Sequence, residues 1–306
     1  TFLSSDGKTQ LHGMLWEPEG VAVRAVLQIC HGVAEHIARY DGFARALNEQ
    51  GIVVAGHDHL GHGKSLPEGG TPVYFGDGNT WNTVVDDIYV LHQRLKQRYP
   101  DVPLCIMGHS MGSFLTRTYL IRYPGTVKAA VIMGTGWQPR AAITGGLALA
   151  NAIAAVSGEN ATSELVTELA FGSYNKLFAP NRTKVDWLSA DESNVDDYIA
   201  DPLCGADATV GLFRQMLHGI RFNQRQSHLW QMDRVMPVLF GAGDKDPVGS
   251  CGKGVRQTYD AFRAAGMRDC TLKLYPGLRH EILNEKAYTA DITKNIEAWL
   301  LSRLEK

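Results

Sequence analysis

The chain predicts an α/β fold with a mostly parallel sheet, on three observations. Apolar runs of strand length alternate with longer amphipathic segments, the pattern of parallel strands joined by crossover helices. That alternation stops between residues 137 and 236 and resumes afterwards. A glycine-flanked serine, Gly108-His109-Ser110-Met111-Gly112, sits directly between an apolar run and a helical stretch.

In chain order, strands are expected at 10–16, 25–30, 52–56, 104–107, 127–133, 238–240 and 271–275. Helices are expected at 40–50, 80–99, 111–123, 254–265 and 285–304. In the second of these, Val84, Ile88, Leu91 and Leu95 recur at spacings of three and four, a buried face beneath Asp86, Asp87, Arg94 and Lys96. About 100 residues without a strand pattern are too many for a plain loop. They are expected to form a helical cap over the carboxyl ends of the strands, the edge where ligands bind. The chain then divides into a core at 1–136, a cap at 137–236 and the rest of the core at 237–306.

With 30 basic and 32 acidic residues in 306, the net charge is −2. No basic field invites nucleic acid. The five cysteines, 30, 105, 204, 251 and 270, are odd in number and lack framework spacing, which suits reduced thiols in a cytoplasmic protein. The start of the chain shows no basic segment followed by an apolar one. The charge-free stretch 141–158 is rather short for a bilayer span.

A strand that ends in a tight turn into a helix holds a serine hydroxyl clear of its own backbone, and the flanking glycines relieve crowding there. The hydroxyl is a poor nucleophile until an imidazole takes its proton, and the imidazole needs a carboxylate to fix its tautomer. His280, on a Pro-Gly loop after the last strand, is the base candidate. The loop after strand 238–240 offers Asp244 and Asp246; the spacing from Gly243 favours Asp246, with Asp244 capping the turn. Negative charge on the carbonyl oxygen needs donors. The amides of Met111 and Val33 are the candidates, with Gly32 allowing close approach of the backbone to substrate. His31, Glu35 and His36 read as scaffold.

A second cluster, His57-Asp58-His59-Leu60-Gly61-His62, comes near a binuclear metal signature but lacks its aspartate at Gly61. It reads instead as a turn in which Asp58 and Ser65 hold the loop through backbone hydrogen bonds. No metal or organic cofactor is expected.

Taken together, His31-Gly32 with Glu35-His36, segment 58–65, the pentapeptide at 108–112, the loop 243–246 and the loop 277–280 resemble the α/β-hydrolase superfamily. More narrowly they are similar to its monoacylglycerol lipase and lysophospholipase branch, which is grouped with serine aminopeptidases. The likeness covers nearly the whole chain. It implies a mostly parallel eight-stranded sheet flanked by helices, a triad of Ser110, Asp246 and His280, oxyanion donors at Val33 and Met111, and an acyl-binding channel in the cap. The implied activity is a serine ester hydrolase acting on monoacylglycerols or related single-chain lipids. A small-molecule carboxylesterase, an aminopeptidase using Glu159, Glu164 or Glu168, and a silent binding protein are the alternatives. In the cap, Ile143 and Leu147 lead an apolar series that either lines a passage for an acyl chain, touching a membrane or micelle surface, or packs a helix on the core.

Overall fold

The computed structural model describes residues 1–304. These form strands β1 (Phe2–Leu3), β2 (Gln10–Leu11), β3 (Gly13–Trp16), β4 (Ala25–Cys30), β5 (Ile52–His57), β6 (Leu104–His109), β7 (Ala130–Met133), β8 (Val238–Gly243) and β9 (Cys270–Tyr275). Seven of them make one sheet in the order β3-β5-β4-β6-β7-β8-β9. β3 runs antiparallel to β5, and every other pair is parallel.

The helices are α1 (Asp41–Asn48), α2 (Thr80–Arg98), α3 (Met111–Arg122), α4 (Arg140–Ser157), α5 (Glu164–Thr167), α6 (Ser173–Lys176), α7 (Glu192–Ala200), α8 (Val210–Asn223), α9 (Gln226–Leu229), α10 (Lys253–Ala264) and α11 (Thr289–Leu304). The strands are apolar on both faces because both are covered. Leu27, Ile29, Val54 and Met107 face α1 and α11, where Phe43, Leu47, Ile296 and Leu300 are buried. Val26, Val53, Ile106 and Phe240 face the other way, onto Val84, Ile88, Leu115 and Phe262.

The sheet has seven strands, not the eight that the resemblance implies. β1 and β2 pair only with each other. The expected strand at 10–16 is split at His12, whose amide donates to Ser65 Oγ at 2.9 Å while its carbonyl accepts from the Asp58 amide at 2.9 Å. Released from the ladder, the hairpin is tied to α2 instead: Ser4 Oγ and the Ser5 amide both donate to the Asp87 carboxylate, at 2.8 and 2.5 Å. The expected strand at 127–133 shortens to β7, and the last helix begins at Thr289 after a tight turn at Ile282–Asn284.

Chain order places β5 on one side of β4 and β6 on the other, so the direction of winding reverses between β4 and β6. Loops leaving the carboxyl ends at such a point part to leave a crevice. Ser110 and the segment from His31 to Glu35 both stand there. Between β7 and β8, α4 to α9 contribute no strand to the sheet, and α4 packs along α8.

Candidate active site

Ser110 links β6 to α3 with φ 54° and ψ −122°, a conformation costly for a residue with a Cβ. Crowding enforces it. A methyl on Gly112 would strike the carbonyl oxygens of Cys30 and His31, so α3 lies too close to β4 for any larger residue. The Ser110 amide donates to the Met133 carbonyl at 3.1 Å, and its own carbonyl accepts from Ser113 Oγ at 2.6 Å. The backbone is thus held on both sides, while Ser110 Oγ makes no hydrogen bond among the described residues.

His280 is 2% exposed and its Nδ1 lies 2.9 Å from Asp246 Oδ1. Asp246 is wholly buried, and the same Oδ1 accepts the Val248 amide at 2.9 Å. Asp244 does not reach the imidazole; its Oδ1 accepts the Gly277 amide at 2.8 Å and braces the loop that carries His280. The other edge of the ring borders the end of β7, since a methyl on Gly134 would lie 3.0 Å from His280 Cε1. Ser110, bonded to the neighbouring Met133, borders the same place. His280 also packs on the rings of His109 and Trp187, with centroids at 4.7 and 5.1 Å.

Opposite stands the loop after β4. A methyl on Gly32 would be 2.6 Å from Glu35 Oε1 and 3.1 Å from Ser110 Cβ, so only glycine lets this backbone run beside the serine. Two tethers fix Gly32, one on the peptide before it and one on the peptide that joins it to Val33. The Gly32 amide donates to Glu35 Oε1 at 2.5 Å, and the Gly32 carbonyl lies 2.8 Å from His31 Nδ1. His31 Nε2 accepts the His59 amide at 2.9 Å, so the proton sits on Nδ1 and donates to Gly32. With the carbonyl turned to His31, the trans peptide points the Val33 amide the opposite way. That amide and the Met111 amide, first in α3 and without an intrahelical partner, donate to no acceptor among the described residues.

Sequence reasoning missed the frame that joins these loops. Arg39 reaches Glu35 and Glu281, and Asn194 of α7 donates to Glu281. Burial works against the charge on Glu35, yet the bond to His109 and the Arg39 guanidinium hold its pKa well below the usual carboxylate range. Burial likewise opposes ionised Glu281, and Arg39 lowers its pKa all the same. His109 is raised against its own burial by Glu35. The i,i+4 spacing of Glu35 and Arg39 was the available signal.

The histidine-rich turn behaves as a scaffold. Asp58 accepts the amides of Ile37 and Lys64, each at 2.8 Å, and Ser65 Oγ donates to the Asp58 carbonyl at 2.7 Å. His31 and His59 pack with ring centroids 4.2 Å apart, and burial pushes both His57 and His62 down to about 3. Among the described residues the donor atoms near enough to one another for a cation are those of His36, Asp201 and Cys204, within 4.8 Å, where His36 Nε2 already bonds Asp201 Oδ2 at 2.8 Å.

Among α4, α5, α6 and α8 lies an apolar cavity of about 460 Å³, lined among others by Ile143, Leu149, Phe171, Tyr174, Phe213 and Leu217. Its volume falls in the range of small-molecule sites. Ile143 and Leu147 are buried in the same cluster, and of the two Ile143 lines the cavity. Phe171 and Tyr174 pack on Trp187 with centroids at 6.1 and 5.3 Å, so an aromatic wall runs from the cavity to His280.

A buried imidazole and carboxylate together with a serine on a strained strand-to-helix turn is a hydrolase arrangement, and comparison with known proteins agrees. The profile of the family described as serine aminopeptidase, S33, matches residues 21–287. The chain belongs to that family. Within this S33 family, the chain is similar to the monoacylglycerol lipase of Mycolicibacterium smegmatis, 31% identical over 95% of this chain and 92% of that one. It is also similar to the monoglyceride lipase of Mus musculus, 28% identical over 99% of this chain and 90% of that one. Among solved structures, a thermostable carboxyl esterase from Bacillus coagulans in complex with glycerol superposes with a TM-score of 0.92 at 26% identity, covering 99% and 97% of the two chains.

Proposed function

We propose that this S33-family protein is a serine carboxylic ester hydrolase that cleaves monoacylglycerols or related single-chain lipid esters through an acyl-enzyme on Ser110. The observation that carries the reading is the apolar cavity walled by Phe171 and Tyr174, which meets the His280–Asp246 pair through Trp187. The lipases named above supply the substrate class.

In the first half-reaction Ser110 Oγ attacks the ester carbonyl carbon and gives its proton to His280 Nε2. Asp246, bonded at Nδ1, steadies the imidazolium. The amides of Val33 and Met111 receive the oxyanion. Collapse expels the glycerol oxygen, which takes the proton from His280. Water then enters, yields a proton to His280 and attacks the acyl carbon; the fatty acid leaves and Ser110 recovers its proton.

The cap suits delivery of such substrates from a lipid surface. α4 carries 18 residues at mean hydropathy 1.3 and is only 17% buried, and its own Val156 and, further along the chain, Leu165 and Leu169 stand exposed. The five unpaired cysteines suit a cytoplasmic setting. Of the three glutamates that the aminopeptidase alternative would use, Glu159 is paired with Arg214 and Glu168 with Lys176.

The test is a series of monoacylglycerols and p-nitrophenyl esters of increasing chain length. We expect kcat/KM to rise steadily to long chains and to vanish in Ser110→Ala, with fluorophosphonate labelling lost in the same variant. A preference for acetate would make this a small-molecule esterase, and turnover of aminoacyl anilides above esters would restore the peptidase.

A further inference from the structure

The oxyanion loop leaves β4 and the histidine loop leaves β9, four strand spacings apart in the sheet. At 4.7–4.9 Å per spacing their roots are about 19 Å apart. Acyl transfer nevertheless needs the amide of one and the imidazole of the other on the same carbonyl group, and the sheet cannot fix two loop tips that meet across such a gap. A direct bond between the loops has to do so.

We propose that Arg39 is a positioning residue for acyl transfer: its guanidinium, clasping Glu35 of the oxyanion loop and Glu281 of the histidine loop, sets the register between the oxyanion donor and the general base. This rests on the reading of Ser110 and His280 given above. The clasp on Glu281 is bidentate, Nη1 to Oε1 and Nη2 to Oε2, each at 2.7 Å, and Nη1 also donates to Glu35 Oε2 at 2.9 Å. Each carboxylate is one or three residues from the group it steers. Glu281 adjoins His280, and its amide donates to the Leu188 carbonyl at 2.7 Å. Glu35 grips the amide of Gly32, and through it the peptide that ends in the Val33 donor.

The frame closes through the serine elbow itself. His109, immediately before Ser110, lies 3.4 Å from Glu35 Oε1 by Nδ1 and 3.2 Å from the His280 carbonyl by Nε2. The side chains of Glu35 and Glu281 are 4% exposed and that of Arg39 10%, so the ion pairs work in a region water hardly screens. Asn194 at 2.8 Å satisfies Glu281 further, and the Tyr198 ring lies 5.0 Å from the guanidinium carbon. Both come from the cap, so its α7 end is drawn into the same frame.

Arginine is required by geometry as much as by charge. A lysine keeps the charge but cannot fork onto one carboxylate while holding the other. The test therefore uses Arg39→Lys and Glu281→Gln, both close in size to the original. Turnover of a short and a long ester is measured per Ser110 titrated to completion with a fluorophosphonate, so that misfolded protein does not count. We expect kcat per titrated site to fall roughly tenfold to a hundredfold in both variants for both esters, with KM changed less than about threefold. We also expect guanidinium ion to restore part of kcat to Arg39→Ala.

If kcat per titrated site stays within about twofold of wild type in Arg39→Lys and Glu281→Gln, the proposal falls while the hydrolase reading stands. If wild-type protein neither reacts with the fluorophosphonate nor hydrolyses any ester, the reading of Ser110 fails first and the proposal goes with it.

Discussion

The surroundings of Ser110 and the cavity between α4 and α8 are built from opposite materials. Around the serine, buried charges and imidazoles are tied to one another and to backbone amides, from Glu35 and Arg39 to Asp246 and His280. Around the cavity the walls are Ile143, Leu149, Phe213 and Leu217, which offer area but no direction. A transition state needs donors fixed in advance, because reorganising dipoles during reaction costs rate. An acyl chain needs only room and apolar contact. One region is specified by bonds and tolerates little; the other is specified by volume and tolerates much.

Substitutions that cross this divide should differ by orders of magnitude. Ser110→Ala removes the nucleophile, and ester turnover should drop by about 10⁴-fold or more with circular dichroism unchanged. Gly32→Ala forces a methyl against Glu35 Oε1 and Ser110 Cβ, and should lower kcat on all esters by roughly a hundredfold, measured at saturating substrate. Ile143→Trp fills the cavity from its wall; kcat/KM for long-chain monoacylglycerols should fall by about tenfold while p-nitrophenyl acetate changes less than about twofold. An equal loss on both esters would show that the cavity does not hold the acyl chain.

Two smaller effects concern stability. His57 and His62 are neutral when folded, with values pushed down to about 3 by burial, whereas the unfolded chain protonates near 6.5. Between those limits the unfolded state binds more protons, so Tm should hold above pH 6.5 and decline steadily towards pH 3. His62→Gln should flatten that decline in calorimetry. Finally, Ser110→Gly should melt above Ser110→Ala by the equivalent of about 1–3 kcal/mol, since glycine accepts φ 54° and ψ −122° without strain.

Much of the polar region could be read from the sequence because its chemistry is local. A glycine on either side of Ser110, a Gly-Asp loop after a strand and a histidine after the last strand each declare themselves within a few residues. The turn at Asp58 and Ser65 was legible for the same reason. What escaped depends on distant partners: Trp187 reaches His280, and Glu281 meets Arg39 across 242 positions. The split at His12 was equally hidden, since an amide diverted to Ser65 leaves the apolar pattern intact. Ile143 and Leu147 share a helical face by spacing and are buried in one cluster, and spacing does not tell that Ile143 alone of the two borders the cavity.

α8 complicates the border between cap and core. Its Asn223 donates to the Phe114 carbonyl and accepts from Thr118 Oγ1, each at 2.8 Å, and Gly219 is pressed so closely against the Trp81 ring that no larger residue fits. In chain order it falls inside the 137–236 insertion, yet it is bolted to the very helix that Ser110 begins. Anyone exchanging lids among relatives to retune chain length should therefore cut the graft ahead of Val210, leaving this helix with its host.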